Sequence, residues 1–203
     1  MTTASAAKDL PLPPAPFLSS IMQIEPQWID YNGHLNMAYY NVMMDRAIDE
    51  MWLQLGIGPA YMKERHSSTF TAECHVRYIR EIHLGDPVQI SVYLLGHDEK
   101  RLHTFEELRH ATEGWLSATS ENMTLHMDMK ARKVAPFPPD IRARIQAVVD
   151  SHAAVPRPAH ARRCRQPLAG ARGRRDGTVC SARSCSNRVG PTMAPWGGKG
   201  EPS

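Results

Sequence analysis

Trp28-Ile29-Asp30-Tyr31-Asn32-Gly33-His34-Leu35-Asn36, running without a break into residues 37–55, is the stretch on which the reading of the fold turns. In 37–55 the polar residues Asn41, Asp45, Arg46, Asp49, Glu50 and Gln54 recur every three to five positions. Between them stand Tyr40, Met43, Met44, Ala47, Ile48, Met51, Trp52 and Leu55, which predicts a helix with an apolar face so wide that other structure must enclose most of it. Gly56 and Gly58-Pro59 supply the stop. Upstream of the helix a carboxylate, a glycine, an imidazole and an amide fall within seven residues. Asn36 suits an N-cap, and the first-turn N–H groups after it have no intrahelical partner, so they present partial positive charge to whatever lies outside. If Asp30 faces the same small volume, it supplies a nucleophile or base while those donors hold an oxyanion, an arrangement fitted to acyl transfer. The other reading of the same residues is local: Asp30, Asn32 and Asn36 form an Asx-type turn and a cap.

Working outward, residues 1–18 are rich in Ala, Ser and Pro. Pro11, Pro13, Pro14 and Pro16 deny both helix and ladder donors, so this arm is expected to be extended or disordered, with order beginning near Ser19. Residues 21–28 read as a short strand ended by Pro26. Downstream of the helix the period changes to two. Phe70, Ala72, Cys74, Val76 and Tyr78 alternate with polar residues as in a half-buried strand. Gly85-Asp86-Pro87 turns the chain, and Val88, Ile90, Val92 and Leu94 alternate as far as the hairpin signal Gly96-His97-Asp98. Residues 101–110 return as a less regular strand. In 115–128, Met123, Leu125 and Met127 are in phase and Ala118 is not, which predicts a bulge around 120–122. Residues 139–149 read as a short final helix. One long helix followed by hairpin-connected strands is an α+β arrangement: a curved antiparallel sheet around a central helix, over residues 19–152. Its free edge calls for a second copy.

The charge is unevenly distributed. Residues 155–203 hold ten Arg and Lys against two acidic residues, whereas the remaining 154 carry a net −5, so the formal +3 of the whole chain describes its end. The acidic body excludes a basic nucleic-acid surface, and no partner of that kind is expected. No apolar run approaches the ~20 residues that cross a bilayer, and the start lacks a basic segment followed by an apolar core, so a cytoplasmic protein with no membrane partner is expected. One cysteine of four, Cys74, lies in the body, which argues against a disulfide framework. Residues 153–203 are Arg-, Ala-, Gly- and Pro-rich without apolar periodicity, and are expected to be disordered. A basic arm and a Cys-based metal site are alternatives, but the abrupt change of composition favours a shifted reading frame.

The order of elements, with W-I-D-Y-N-G-H-L-N at 28–36, T-A-E-C-H-V-R-Y at 71–78, L-L-G-H-D-E-K-R-L-H at 94–103 and A-T-S-E-N-M-T-L-H-M-D at 118–128, resembles the hot-dog-fold thioesterases of the 4-hydroxybenzoyl-CoA type, and within them the betainyl-CoA thioesterase-like branch. The resemblance implies an acyl-CoA substrate, a homodimer or homotetramer, and no cofactor beyond the coenzyme A of the substrate itself. It assigns Asp30 as the catalytic carboxylate and the Met37 backbone N–H as the oxyanion donor, with Asn36 capping the helix. His34 either holds the loop or transfers a proton. Trp28, Tyr31, Tyr39 and Tyr40 surround the site in sequence; aromatic faces beside a carboxylate can hold a quaternary ammonium by cation–π attraction of ~0.5–2 kcal/mol, and the other reading is that most of them are core. Glu73, expected on the opposite sheet face from Phe70 and Cys74, would hold a water, a substrate cation or Arg77. The histidines on the strands offer no compact ligand set, so no metal is expected. A hot-dog dehydratase or hydratase and a non-catalytic acyl-CoA binding module are the rival functions.

Overall fold

The structure is a computed structural model, and it describes residues 10–161. Four long strands, β3 (Ser67–Tyr78), β4 (Pro87–His97), β5 (Arg101–His110) and β6 (Leu116–Asp128), form the antiparallel sheet. The short strands β1 (Phe17–Leu18) and β2 (Met22–Gln23) add to the outer side of β4, and β7 (Lys133–Val134) adds to β6. The sheet order is β1-β4-β5-β6-β3, which puts β3 at the edge farthest from its sequence neighbour β4. Gly85-Asp86-Pro87 therefore turns the chain without making the expected hairpin. The connection after β3 runs across the end of the sheet instead, where Ile79 and Arg80 donate their N–H groups to the Ser117 carbonyl.

Helix α1 (Met37–Leu55) has the predicted bounds, and the eight apolar residues expected on its inner face are the ones buried. They pack against Ile90, Val92, Leu94, Leu102, Leu108 and Ala118 of the sheet. Gly56 ends the helix in the left-handed region at φ 86°, a conformation open to glycine at little cost. Arg144 then donates to the last-turn carbonyls of Gln54 and Leu55. A second helix, α2 (Pro59–Arg65), had no counterpart in the sequence pattern, and the last helix, α3 (Pro139–Ala153), runs four residues past its expected end. Arg65 makes a two-pronged ion pair with Asp140 at 2.9 and 2.6 Å, joining α2 to α3.

Three further expectations are corrected. Order begins before Ser19: Phe17 is buried, Pro14 accepts a bond from His152, and Leu10 accepts one from Arg144. Prolines spare the N-terminal arm a full ladder, yet its carbonyls still find side-chain donors. The segment 21–28 is not one strand, because after the two residues of β2 Pro26 opens a turn of 3-10 helix over Pro26–Trp28. No bulge interrupts 120–122. The register shifts at Ala72 of β3, opposite Met123 and Thr124, and again between Leu108 and Arg109 of β5. Ala118, Ser120, Asn122 and Thr124 are buried while Met123, Leu125 and Met127 are half-buried, so the change of phase seen in the sequence marks two covered faces. The expectation for the basic tail falls, from residue 162 onward, outside the described residues.

Candidate active site

The segment 28–36 folds back on itself as a tight hairpin. Asn36 N–H donates to the Trp28 carbonyl at 2.9 Å, Asp30 N–H to the His34 carbonyl at 2.9 Å, and Ile29 bridges Leu35. Gly33 makes the reversal possible, standing at φ 79° where a side chain is disfavoured. Asp30 Oδ1 accepts from the N–H groups of Asn32 at 2.8 Å and His34 at 3.4 Å. The Asx turn is therefore present, and it uses one carboxylate oxygen. Oδ2 has no partner among the described residues.

The hairpin sits on the start of α1. Asn36 Oδ1 accepts from Ala38 N–H at 3.0 Å and the Asn36 carbonyl from Tyr39 N–H at 3.0 Å. The Met37 N–H is left without a partner among the described residues, on a residue 65% exposed. Tyr78, at the end of β3, donates its hydroxyl to the Met37 carbonyl at 3.4 Å. By the hairpin register Asp30 lies opposite His34, three residues short of Met37, a span of up to ~10 Å. The carboxylate and the free amide thus lie on adjoining segments, with no bond between them.

His34 is held from outside the hairpin. Its Nε2 lies 3.1 Å from Glu81, whose other oxygen lies 3.5 Å from His83 Nε2. His83 Nδ1 reaches the Gly33 carbonyl at 3.5 Å, and Leu35 N–H donates to the carbonyl of fully buried Ile82. Residues 81–83 therefore clamp the hairpin from below. Sequence reasoning missed Glu81 and His83. The signal was there in two polar residues flanking one apolar residue just before a turn.

The aromatic residues divide. Trp28 is buried, stacks on Tyr39 with ring centres 5.1 Å apart, and carries the Arg46 guanidinium 5.1 Å from its ring. This pair is occupied packing, and no open cage for a substrate cation is left at Trp28. Tyr31 is 98% exposed at the hairpin tip. Glu73 sits on exposed β3, and the shift at Ala72 puts it opposite Met123, on the same face as Phe70 and away from Cys74. The expected opposition to Phe70 is thereby corrected, and no ion pair joins Glu73 to Arg77 among the described residues.

A cleft of about 320 Å³ opens between α1 and the β3 edge, lined on the helix by Asn41, Val42, Met44, Asp45 and Ile48. Its floor is Thr71, Cys74, Glu106, Ser120 and Asn122. Glu106 is fully buried, and burial first, then the negative charge of Asp45, pushes its carboxyl well above the usual carboxylate range. No group of three or more His, Cys, Asp and Glu among the described residues is placed to hold a metal.

Comparison with known proteins decides the class. A family model described as thioesterase-like superfamily matches residues 24–145, which takes in the hairpin, α1 and all four long strands. The chain belongs to the thioesterase-like superfamily. It is 37% identical over 133 residues to the betainyl-CoA thioesterase of Pseudomonas aeruginosa, covering 66% of this chain and 84% of that protein. To the L-carnitine dehydrogenase/betainyl-CoA thioesterase of Rhizobium meliloti it is 34% identical over 136 residues, covering 67% of this chain and 27% of that longer protein. A solved thioesterase from Thermus thermophilus, complexed with coenzyme A and zinc, aligns with a TM-score of 0.56 and 25% identity over 66% of this chain and 94% of that one. The hot-dog fold and membership of the thioester hydrolases follow. No helix among the described residues is long and apolar enough to cross a membrane.

Proposed function

We propose that this thioesterase hydrolyses a short, polar acyl-CoA, with trimethylglycyl-CoA, the betainyl thioester, the first substrate to try, because two relatives at 34–37% identity carry that activity in their names. The observation that carries the mechanism is the hairpin: Asp30 is anchored through Oδ1 and free at Oδ2, beside a helix start whose Met37 N–H is unpartnered among the described residues. Oδ2 either adds to the thioester carbon, leaving an acyl-aspartyl anhydride that water then cleaves to the free acid and Asp30, or takes a proton from the water that adds directly. The developing oxyanion is held by Met37 N–H, the C–S bond breaks with its electron pair on sulfur, and the thiolate leaves as CoA-SH after taking a proton. Asn36 and His34 position this loop. Glu81 fixes the His34 ring, which favours a positioning role for the imidazole over proton transfer.

The same reading makes the protein a cytoplasmic homodimer or homotetramer that needs no cofactor beyond the coenzyme A of its substrate and has no nucleic-acid or membrane partner. What supports the assembly is β3, an edge strand of 12 residues with Phe70 at 48% and Tyr78 at 46% exposure. An unprotected edge of this length pairs with another copy unless something blunts it. A two-fold axis across β3 would extend the sheet and run the two α1 helices antiparallel.

The test is release of free thiol from a panel of acyl-CoAs, with the mass in solution measured on the same preparation. Hydrolysis yields thiol, hydration consumes an enoyl thioester without yielding it, and a binding module does neither. Thiol release by a multimer supports the reading. No thiol from any member of the panel overturns the activity, and a monomer at assay concentration overturns the assembly.

A further inference from the structure

The cleft under α1 has a polar wall whose bonds can be followed one by one. Cys74 Sγ bonds to Asn41 Oδ1 at 3.6 Å and contacts Ser120 Oγ at 3.4 Å; Ser120 Oγ donates to Asn122 Oδ1 at 2.8 Å; and Asn122 Nδ2 donates to Glu106 Oε1. The chain of partners stops there. Among the described residues Glu106 Oε2 is buried with none, as are the neutral hydroxyls of Thr104 and Thr124. A side chain buried without a partner for one carboxyl oxygen is costly, and an acid placed there is among the most expensive choices. An apolar residue would fill the position in a β-sheet facing a helix, as Leu108 and Leu94 do nearby. A ligand that brings positive charge into the cleft relieves the cost.

We infer that the cleft bounded by Asp45 and Glu106 is the pocket for the acyl group, and that it selects a quaternary ammonium. Two carboxyl groups, one on the helix and one on the floor, face a volume walled by Val42, Met44 and Ile48 on the helix side and by Thr71, Cys74, Ser120 and Asn122 on the sheet side. A trimethylammonium group matches that lining, since its methyls pack on aliphatic carbon while its charge, which no proton transfer can remove, is balanced by acidic oxygens. Ionisation of Glu106, disfavoured while the cleft is empty, becomes favourable when such a cation enters. The aromatic residues anticipated for this task, Trp28 and Tyr39, are already engaged with Arg46 and with each other, so the carboxyl groups take their place.

This inference rests on the thioesterase reading and on its two-copy assembly. Asp45 stands eight residues beyond Met37, ~12 Å along the helix, which exceeds the reach of a trimethylglycyl group. Asn41 contacts Cys74 and Met37 contacts Tyr78, so a two-fold axis crossing the exposed middle of β3 would bring the start of one α1 toward the middle of the other. The cleft of one copy then receives the acyl group whose carbonyl is held at the helix start of its partner.

The test compares trimethylglycyl-CoA with 3,3-dimethylbutanoyl-CoA, which has the same shape with carbon in place of the charged nitrogen. The full-length enzyme is expected to favour the cationic thioester in kcat/KM by about tenfold or more. In Glu106→Gln, and separately in Asp45→Asn, the ratio falls toward one, chiefly through a higher KM for the cationic substrate. Asp45 is on the surface, so its variant keeps the test valid should Glu106→Gln fold poorly. Equal rates on both thioesters in the native enzyme overturn the inference while leaving the thioesterase reading intact, as does a preference that survives both substitutions. Thiol release from neither compound, when another acyl-CoA of the panel is hydrolysed, overturns the inference and leaves the thioesterase reading standing; release from no member of the panel overturns both.

Discussion

The hairpin at 28–36 and the cleft around Glu106 are built on opposite principles. In the hairpin the carboxylate lies near solvent with one oxygen held by two backbone N–H groups, and the surrounding bonds stay within the segment itself, the clamp of 81–83 excepted. In the cleft the carboxyl is fully buried, is reached through a relay of side chains from three different strands and the helix, and has one oxygen unserved. A group that must attack or take a proton is held in a fixed orientation within reach of solvent and substrate. A group that must recognise a cation stays desolvated, so that the ligand's charge is the best partner on offer. The contrast separates reactivity from selectivity, and the two are expected to fail separately.

The largest expected effect is on the hairpin. Asp30→Asn keeps an oxygen able to accept from Asn32 and His34, so the turn survives while the charge does not. The rate of thiol release is expected to fall by ~10²–10⁴, with the oligomer and the far-ultraviolet circular dichroism unchanged. Turnover near the native rate in a clean preparation would remove Asp30 from the mechanism.

The cleft should respond in stability. Glu106 has its carboxyl raised above the usual range by burial and by Asp45, while its other neighbours, Cys74, Ser120 and Asn122, bring no positive charge. The folded state therefore holds a proton that the unfolded chain releases. Stability from this group is greatest below the ordinary carboxylate range, declines as pH rises through the window up to the raised folded value, and is level above it. Glu106→Gln removes that decline, so the variant is expected to melt higher than the native protein at pH 7 and to match it more closely at pH 4. Each kcal/mol recovered raises Tm by about 2–4 °C for a chain of this size. A variant that melts lower at pH 7 would mean that the carboxyl is stabilised by its surroundings, and the account of an unserved oxygen would fall.

The two regions also differed in how far the sequence revealed them. The hairpin and α1 were legible because their determinants are close in sequence: Gly33 between Asp30 and His34, the Asn36 cap, and a 3.6-residue apolar period that names all eight buried positions. The cleft was not. Glu106 lies in phase with Leu102 and Leu108 on β5, a polar residue in a buried register, and the irregularity was visible only as a strand of poorer pattern. Its meaning depends on β3 lying beside β6, a crossover that no local spacing encodes. Glu73 shows the same limit from the other side, since one extra residue at Ala72 moved it across the sheet.

The smallest predicted effect sharpens the boundary between the two regions. Glu81 joins His34 and His83 beneath the hairpin, but it is half exposed, as is His83, and a screened pair of this kind contributes ~0–1 kcal/mol. Glu81→Gln is therefore expected to leave the melting temperature almost unmoved. If the His34 ring only positions the loop, kcat should drop severalfold with KM little changed, and the shape of the pH–rate profile should be retained, because no proton is routed through the imidazole. If the imidazole instead carries a proton, Glu81→Gln alters the shape of the profile as well as its height. The shape of the profile thus decides between two roles for one histidine, and it does so without disturbing the cleft, whose preference for the cationic thioester should be the same in Glu81→Gln as in the native enzyme.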